Sequence, residues 1–87
     1  MAWIIKYDAS VVKELKKLAK PIAKRIFEYI EQLSAYENPR QNGKALQGSF
    51  KKYWRYRIGD YRIICNINDN ILQILVVGIG HRKEIYK

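Results

Sequence analysis

The sequence predicts a small α+β domain with elements in the order βααβββ, an antiparallel sheet with a helical hairpin packed on one face. Apolar residues recur at helical spacing from Val11 to Leu33. From Phe50 onward the period drops to two, the spacing of strands. Gly59-Asp60 and Asn68-Asp69-Asn70 then cut this second region into three strands. At 87 residues the chain has room for one domain, 1–87, with a thin core.

Each element follows from its residues. Ala2 to Tyr7 reads as a strand, with Trp3 and Ile5 on one face and Ile4 on the other. Asp8 or Ser10 can cap the helix that follows. Val11, Leu15 and Leu18 form its apolar stripe, and Lys13, Lys16, Lys17 and Lys20 lie mostly off it. Pro21 suits a first helical turn. Ile22, Ile26, Ile30 and Leu33 carry a second stripe, which Asn38-Pro39 is expected to end. Gln41-Asn42-Gly43 and Gly48-Ser49 bracket a loop containing Lys44-Ala45-Leu46. Lys52, Trp54, Tyr56 and Ile58 then face one way and Lys51, Tyr53, Arg55 and Arg57 the other. Tyr61, Ile63, Cys65 and Ile67 alternate with Arg62, Ile64 and Asn66. Ile71 to Ile79 is apolar on both faces except at Gln73, which suits a central strand. Cys65 reads as a small buried hydrophobe.

Composition narrows the function classes. Seventeen Lys and Arg against eight Asp and Glu leave a net charge of +9, which favours a polyanionic partner. One Cys and one His cannot build a zinc site or an internal disulfide, and no metal or other cofactor is expected. No apolar run approaches the length of a membrane span, and the opening Met1 to Ile5 is too short for a signal-peptide core. The expected compartment is a reducing cytoplasm.

The hairpin register isolates one unusual pair. With Gly59 and Asp60 as the turn, Ile58 faces Tyr61, Tyr56 faces Ile63 and Trp54 faces Cys65, an apolar row. On the other face Arg57 faces Arg62, with Arg55 opposite Ile64. Like charges directly opposite one another destabilise a sheet, so stability alone would not select this pair: either the register differs, or carboxylates neutralise the pair, or the site exists to hold an anion. Lys44 to Arg62 holds six basic residues, Lys44, Lys51, Lys52, Arg55, Arg57 and Arg62, and a single acid, Asp60, so the segment does not neutralise itself. The antiparallel last strand is expected to bring His81 and Arg82 beside Arg57 and Arg62, with Tyr86 close behind. Arg55, Arg57, Arg62, His81, Arg82 and Tyr86 would then share one rim of the sheet. Arginine forks match phosphate oxygens in bidentate fashion, and His or Tyr can move protons or stack on a base.

Three segments carry a family resemblance: Leu46-Gln47-Gly48; Trp54-Arg55-Tyr56-Arg57-Ile58-Gly59-Asp60-Tyr61-Arg62-Ile63-Ile64; and Gly80-His81-Arg82-Lys83-Glu84-Ile85-Tyr86. Together they resemble the RelE/ParE superfamily of bacterial and archaeal toxins, on its RelE-like branch, and the resemblance covers the whole chain. It implies the toxin of a type II toxin–antitoxin system, a ribosome-dependent endoribonuclease that cuts mRNA in the A site and inhibits translation. ParE-like members poison DNA gyrase instead, which is the alternative; a non-catalytic module that binds nucleic acid or antitoxin is another.

The cleavage expected from the resemblance needs no metal. The ribose 2′-hydroxyl attacks the adjacent phosphate and the 5′-oxygen leaves. Arg62 is expected to hold the phosphate in the transition state, supported by Arg82 and Arg55, with Tyr86 or His81 as the general base or acid. Lys44, Lys51, Lys52 and Arg57 would bind the substrate. The ribosome and mRNA are the expected partners of the active toxin, and a small acidic RelB-like antitoxin its expected inhibitor.

Overall fold

The computed structural model describes residues 3–46 and 53–81. Strand β1 is Ile4–Tyr7, helix α1 Ala9–Lys17 and helix α2 Lys20–Gln32. Strands β2 (Lys44–Ala45), β3 (Tyr53–Ile58), β4 (Tyr61–Asn68) and β5 (Gln73–His81) follow. The five strands form one sheet in the order β1-β5-β4-β3-β2.

The helices begin where capping chemistry places them. Asp8 is the N-cap of α1, and its carboxylate accepts from the Ser10 amide at 3.0 Å and from the Ser10 hydroxyl. Pro21 sits in the first turn of α2. The α2 stripe buries Ile26 and Ile30 but leaves Ile22 exposed. The helix ends at Gln32, earlier than Asn38-Pro39 would stop it, because Leu33–Ala35 tightens into a 3₁₀ turn that tucks Leu33 into the core. Asn38-Pro39 instead opens a second 3₁₀ turn, Pro39–Asn42, with the Asn38 side chain accepting from the Arg40 amide at 3.1 Å.

The β3–β4 hairpin has the expected register: Ile58 pairs with Tyr61, Arg57 with Arg62, Tyr56 with Ile63, Arg55 with Ile64 and Trp54 with Cys65. Gly59 takes φ 58° at the first turn position, a conformation that glycine adopts without strain. Strand β5 starts two residues later than the apolar run does. Ile71 stays exposed and Leu72 turns the chain at φ 50°.

Three features depart from expectation. Strand β1 pairs with β5 in parallel, so the sheet is mostly rather than wholly antiparallel. A short apolar strand carries no mark of its direction; the helical hairpin decides where the chain re-enters the sheet. Next, Lys44 and Ala45 form an edge strand, paired with Arg55 and Trp54, instead of a loop. Two residues are too few to show a period. Lastly, β4 and β5 shift register between Ile64 and Cys65, where Val77 is the extra residue on β5.

One face of the sheet is buried under the helices. Tyr56, Ile63, Cys65, Ile74 and Val76 are all 0% exposed there and pack with Val11, Ile26 and Ile30. The other face carries Arg55, Arg57, Arg62 and Ile64, the alternate residues of the same strands.

Candidate functional site: a cationic groove on the open face

Alternation and register assemble the site. The pair Lys44↔Arg55 extends across the sheet to Ile64 and Gly78, and the pair Arg57↔Arg62 extends to Gly80. Lys44, Arg55, Arg57 and Arg62 therefore gather on one face, with glycines standing beside them on β5. They line a single open groove of about 290 Å³ with Gln41, Asn42 and Gly43. Arg57 and Lys44 are exposed, whereas Arg55 and Arg62 are half-buried. One terminal nitrogen of Arg62 is fully buried. Arg57 leans toward the turn, its Nε 3.4 Å from the Gly59 carbonyl.

The groove wall formed by residues 39–43 is fixed from behind. Tyr56 donates its buried hydroxyl to the Pro39 carbonyl at 2.8 Å, and Trp54 Nε1 donates to the Arg40 carbonyl at 3.0 Å. Tyr29 donates more loosely to the Asn42 carbonyl at 3.3 Å. Burial raises both phenols above the ordinary tyrosine value, which keeps them protonated as donors. The Arg40 guanidinium grips Asp69 through two bonds of 2.9 and 2.8 Å and lies over the Trp54 ring. A Cβ on Gly43 would fall 2.8 Å from Trp54 and still closer to the Arg55 carbonyl, so only glycine fits.

The expected residues divide into three groups. Lys44, Arg55, Arg57 and Arg62 converge on the groove. His81 shares their rim and not their face. Because of the Val77 bulge it pairs with Tyr61, and its ring meets Tyr61 edge-on at 5.6 Å. It lines a separate depression on the helix side with Glu14 and Leu18. Arg62 faces Gly80 instead. Lys51, Lys52, Arg82 and Tyr86 lie outside the described residues. Gln41 and Asn42 were not expected in the groove; the edge pairing of Lys44 and the bonds from Tyr56, Trp54 and Tyr29 hold their segment there, and nothing in the sequence marks those distant contacts. Burial pushes the Cys65 thiol up to about 12, so it is no nucleophile at neutral pH.

The family model of the ParE toxin of type II toxin–antitoxin systems, parDE, matches residues 5–86. The chain belongs to that family, within the RelE/ParE superfamily, and is the toxin of a type II toxin–antitoxin system.

Solved structures agree on the fold. The RelBE2 toxin–antitoxin complex of Mycobacterium tuberculosis aligns with TM-score 0.84 at 23% identity, covering 94% of this chain and 100% of that one. The RelE–RelB complex of Pyrococcus horikoshii aligns with TM-score 0.79 at 28% identity, covering 97% and 99%. A free variant of the Escherichia coli toxin RelE aligns with TM-score 0.77 at 20% identity, covering 98% and 88%. No curated protein sequence matches this chain.

Proposed function

We propose that the protein is a RelE-like endoribonuclease that cuts mRNA in the ribosomal A site and so inhibits translation. The observation that carries this reading is the convergence of Lys44, Arg55, Arg57 and Arg62 on one groove, against the like-charge penalty of the Arg57–Arg62 pair. An anion in the groove would remove that penalty. RNA supplies one at every phosphate.

In the reaction, the 2′-oxygen forms a bond to phosphorus as the bond to the 5′-oxygen breaks. A base takes the 2′ proton and an acid protonates the leaving oxygen. Arg62 holds the phosphoryl oxygens as charge builds on them, with Arg55 and Arg82 in support. Among the described residues, the groove is lined by cations and amides and by no imidazole, phenol or carboxylate. His81 is turned to the helix side, so Tyr86 is assigned as the general base that takes the 2′ proton, and water is the acid that protonates the leaving 5′-oxygen. Arginines around a phenol favour its ionised form. Lys51 and Lys52 add phosphate contacts along the mRNA. The ribosome orients the strand, which supplies much of the acceleration.

Two solved relatives, from Pyrococcus horikoshii and Mycobacterium tuberculosis, are complexes with their antitoxins. By analogy an acidic RelB-like antitoxin restrains this toxin, and its approach is steered by the +9 charge. Among the described residues no helix is long and apolar enough to cross a membrane. An mRNA target places the work in the cytoplasm of a bacterium or archaeon.

Primer extension on a defined mRNA, free and on programmed ribosomes, tests the reading. Cuts at the A-site codon only with ribosomes are expected. Membership of the ParE toxin family favours a second reading, a gyrase-directed toxin. In that case no cuts appear in either setting and the protein inhibits DNA supercoiling. Salt-sensitive RNA binding without cleavage or gyrase inhibition would instead mark a non-catalytic module.

A further inference from the structure

The wall of the groove offers more than phosphate contacts. Its backbone carbonyls at Pro39, Arg40 and Asn42 are occupied by Tyr56, Trp54 and Tyr29 from behind. Gly43 is wedged against β3 and Arg40 is bolted to Asp69. Beside Arg55, Arg57 and Arg62, this fixed segment lines the groove with Gln41, Asn42 and Gly43, and Gln41 and Asn42 are exposed.

A carboxamide contributes no charge to hold a phosphate. It carries one acceptor and two donors on a planar fork, the pattern that complements a base edge. Asn and Gln pair with adenine in bidentate fashion, through N6 and N7. At about 290 Å³ the groove is at the small end of ligand clefts, room for one nucleotide rather than a duplex. Duplex RNA would also hide that edge, whereas an unstacked single strand exposes it.

We propose that Gln41 and Asn42 read a nucleobase, adenine by their hydrogen-bonding pattern, next to the phosphate that the arginines hold. This rests on reading the groove as an RNA site, and adds sequence choice to it. The fixed backbone makes the choice effective: a rigid wall cannot reshape itself around the wrong base.

The test is fluorescence anisotropy with uncleavable 2′-fluoro hexanucleotides, oligo(A), oligo(U) and oligo(C), at one fixed salt concentration. The wild type is expected to bind oligo(A) about tenfold more tightly than the others, the scale of one good bidentate base contact. The double variant Gln41→Ala/Asn42→Ala should bind all three alike. Arg62→Ala should weaken all three together and keep the ratio. A wild-type ratio near one, a preference for U or C, no binding of any oligonucleotide, or a double variant that keeps the oligo(A) preference each overturns the proposal. The readout is independent of cutting. Base preference without ribosome-dependent cuts would sink the nuclease alone, and cuts without base preference would sink the base-reading wall alone.

Discussion

Arg62 and Ile63 are neighbours in the chain and opposites in the fold. Ile63 lies under the helices and is 0% exposed. Arg62 lies one pleat away on the open face, in a groove with three other cations. The same alternation that buries one residue delivers the other. The two faces differ in character: the helix side carries the packed core, while the open side sets two arginines directly opposite each other, a pairing that is unfavourable on a sheet in general. If the groove binds RNA as proposed, stability and binding should separate under single substitutions a residue apart.

The sharpest way to break this contrast is from the packed side. Ile63→Ala should lower stability by about 2 to 5 kcal/mol, through lost burial and the cavity left behind. Urea unfolding would show the loss as a lower midpoint. A shift under 1 kcal/mol would mean that the core centres elsewhere. On the other face, Arg62→Ala should slow A-site cutting on the order of 100-fold, the effect of one lost transition-state donor. Its urea midpoint should not fall as that of Ile63→Ala does.

Gly43→Ala probes the junction of the two regions, since the added methyl would press on Trp54 and the Arg55 carbonyl. It should destabilise by about 1 to 3 kcal/mol, as overpacking does, and should disturb the groove wall. Gly78→Ala is the matched control. Its Cβ would meet nothing nearer than 3.6 Å, and the thermal midpoint should hold or rise slightly.

Arg57→Gln is the most telling small effect. Removing one of two facing like charges should raise stability by about 0.2 to 1 kcal/mol, while RNA binding weakens. A substitution that stabilises the fold and harms binding is what a functional charge looks like.

The smallest effect concerns acid. The Arg40 guanidinium holds the Asp69 carboxyl below its ordinary value of 3.8. A carboxyl lowered in the folded state adds stability above its unfolded value and loses it as pH falls through the folded one. The pair is solvent-exposed, so the loss should be slight, appear below about pH 4 and fade in high salt. Comparing thermal midpoints at pH 7 and pH 3, Asp69→Asn should lose less on acidification than the wild type.

The helices, the hairpin and its arginine pair were legible because each is local. Caps, turn residues and alternation set them within a few residues of chain. The convergence of Arg55, Arg57 and Arg62 follows from the hairpin register alone. What was not legible depends on distant pairing. The parallel direction of β1 shows only in its pairing with β5, about 70 residues on. The bulge at Val77 leaves Gly80 facing Arg62 and turns His81 toward Tyr61 on the helix side. Gln41 and Asn42 enter the groove through the edge pairing of Lys44 with Arg55 and the bonds from Tyr56, Trp54 and Tyr29 to their segment.

The most direct measurement is the rate of A-site cutting by Arg62→Ala, read by primer extension on programmed ribosomes and set against the wild type at equal folded concentration. A loss on the order of 100-fold with an unfolding midpoint that does not fall is expected if the open face holds the scissile phosphate. Cutting at the wild-type rate would contradict that assignment. It would leave the arginine groove as a surface for binding something other than the reacting RNA.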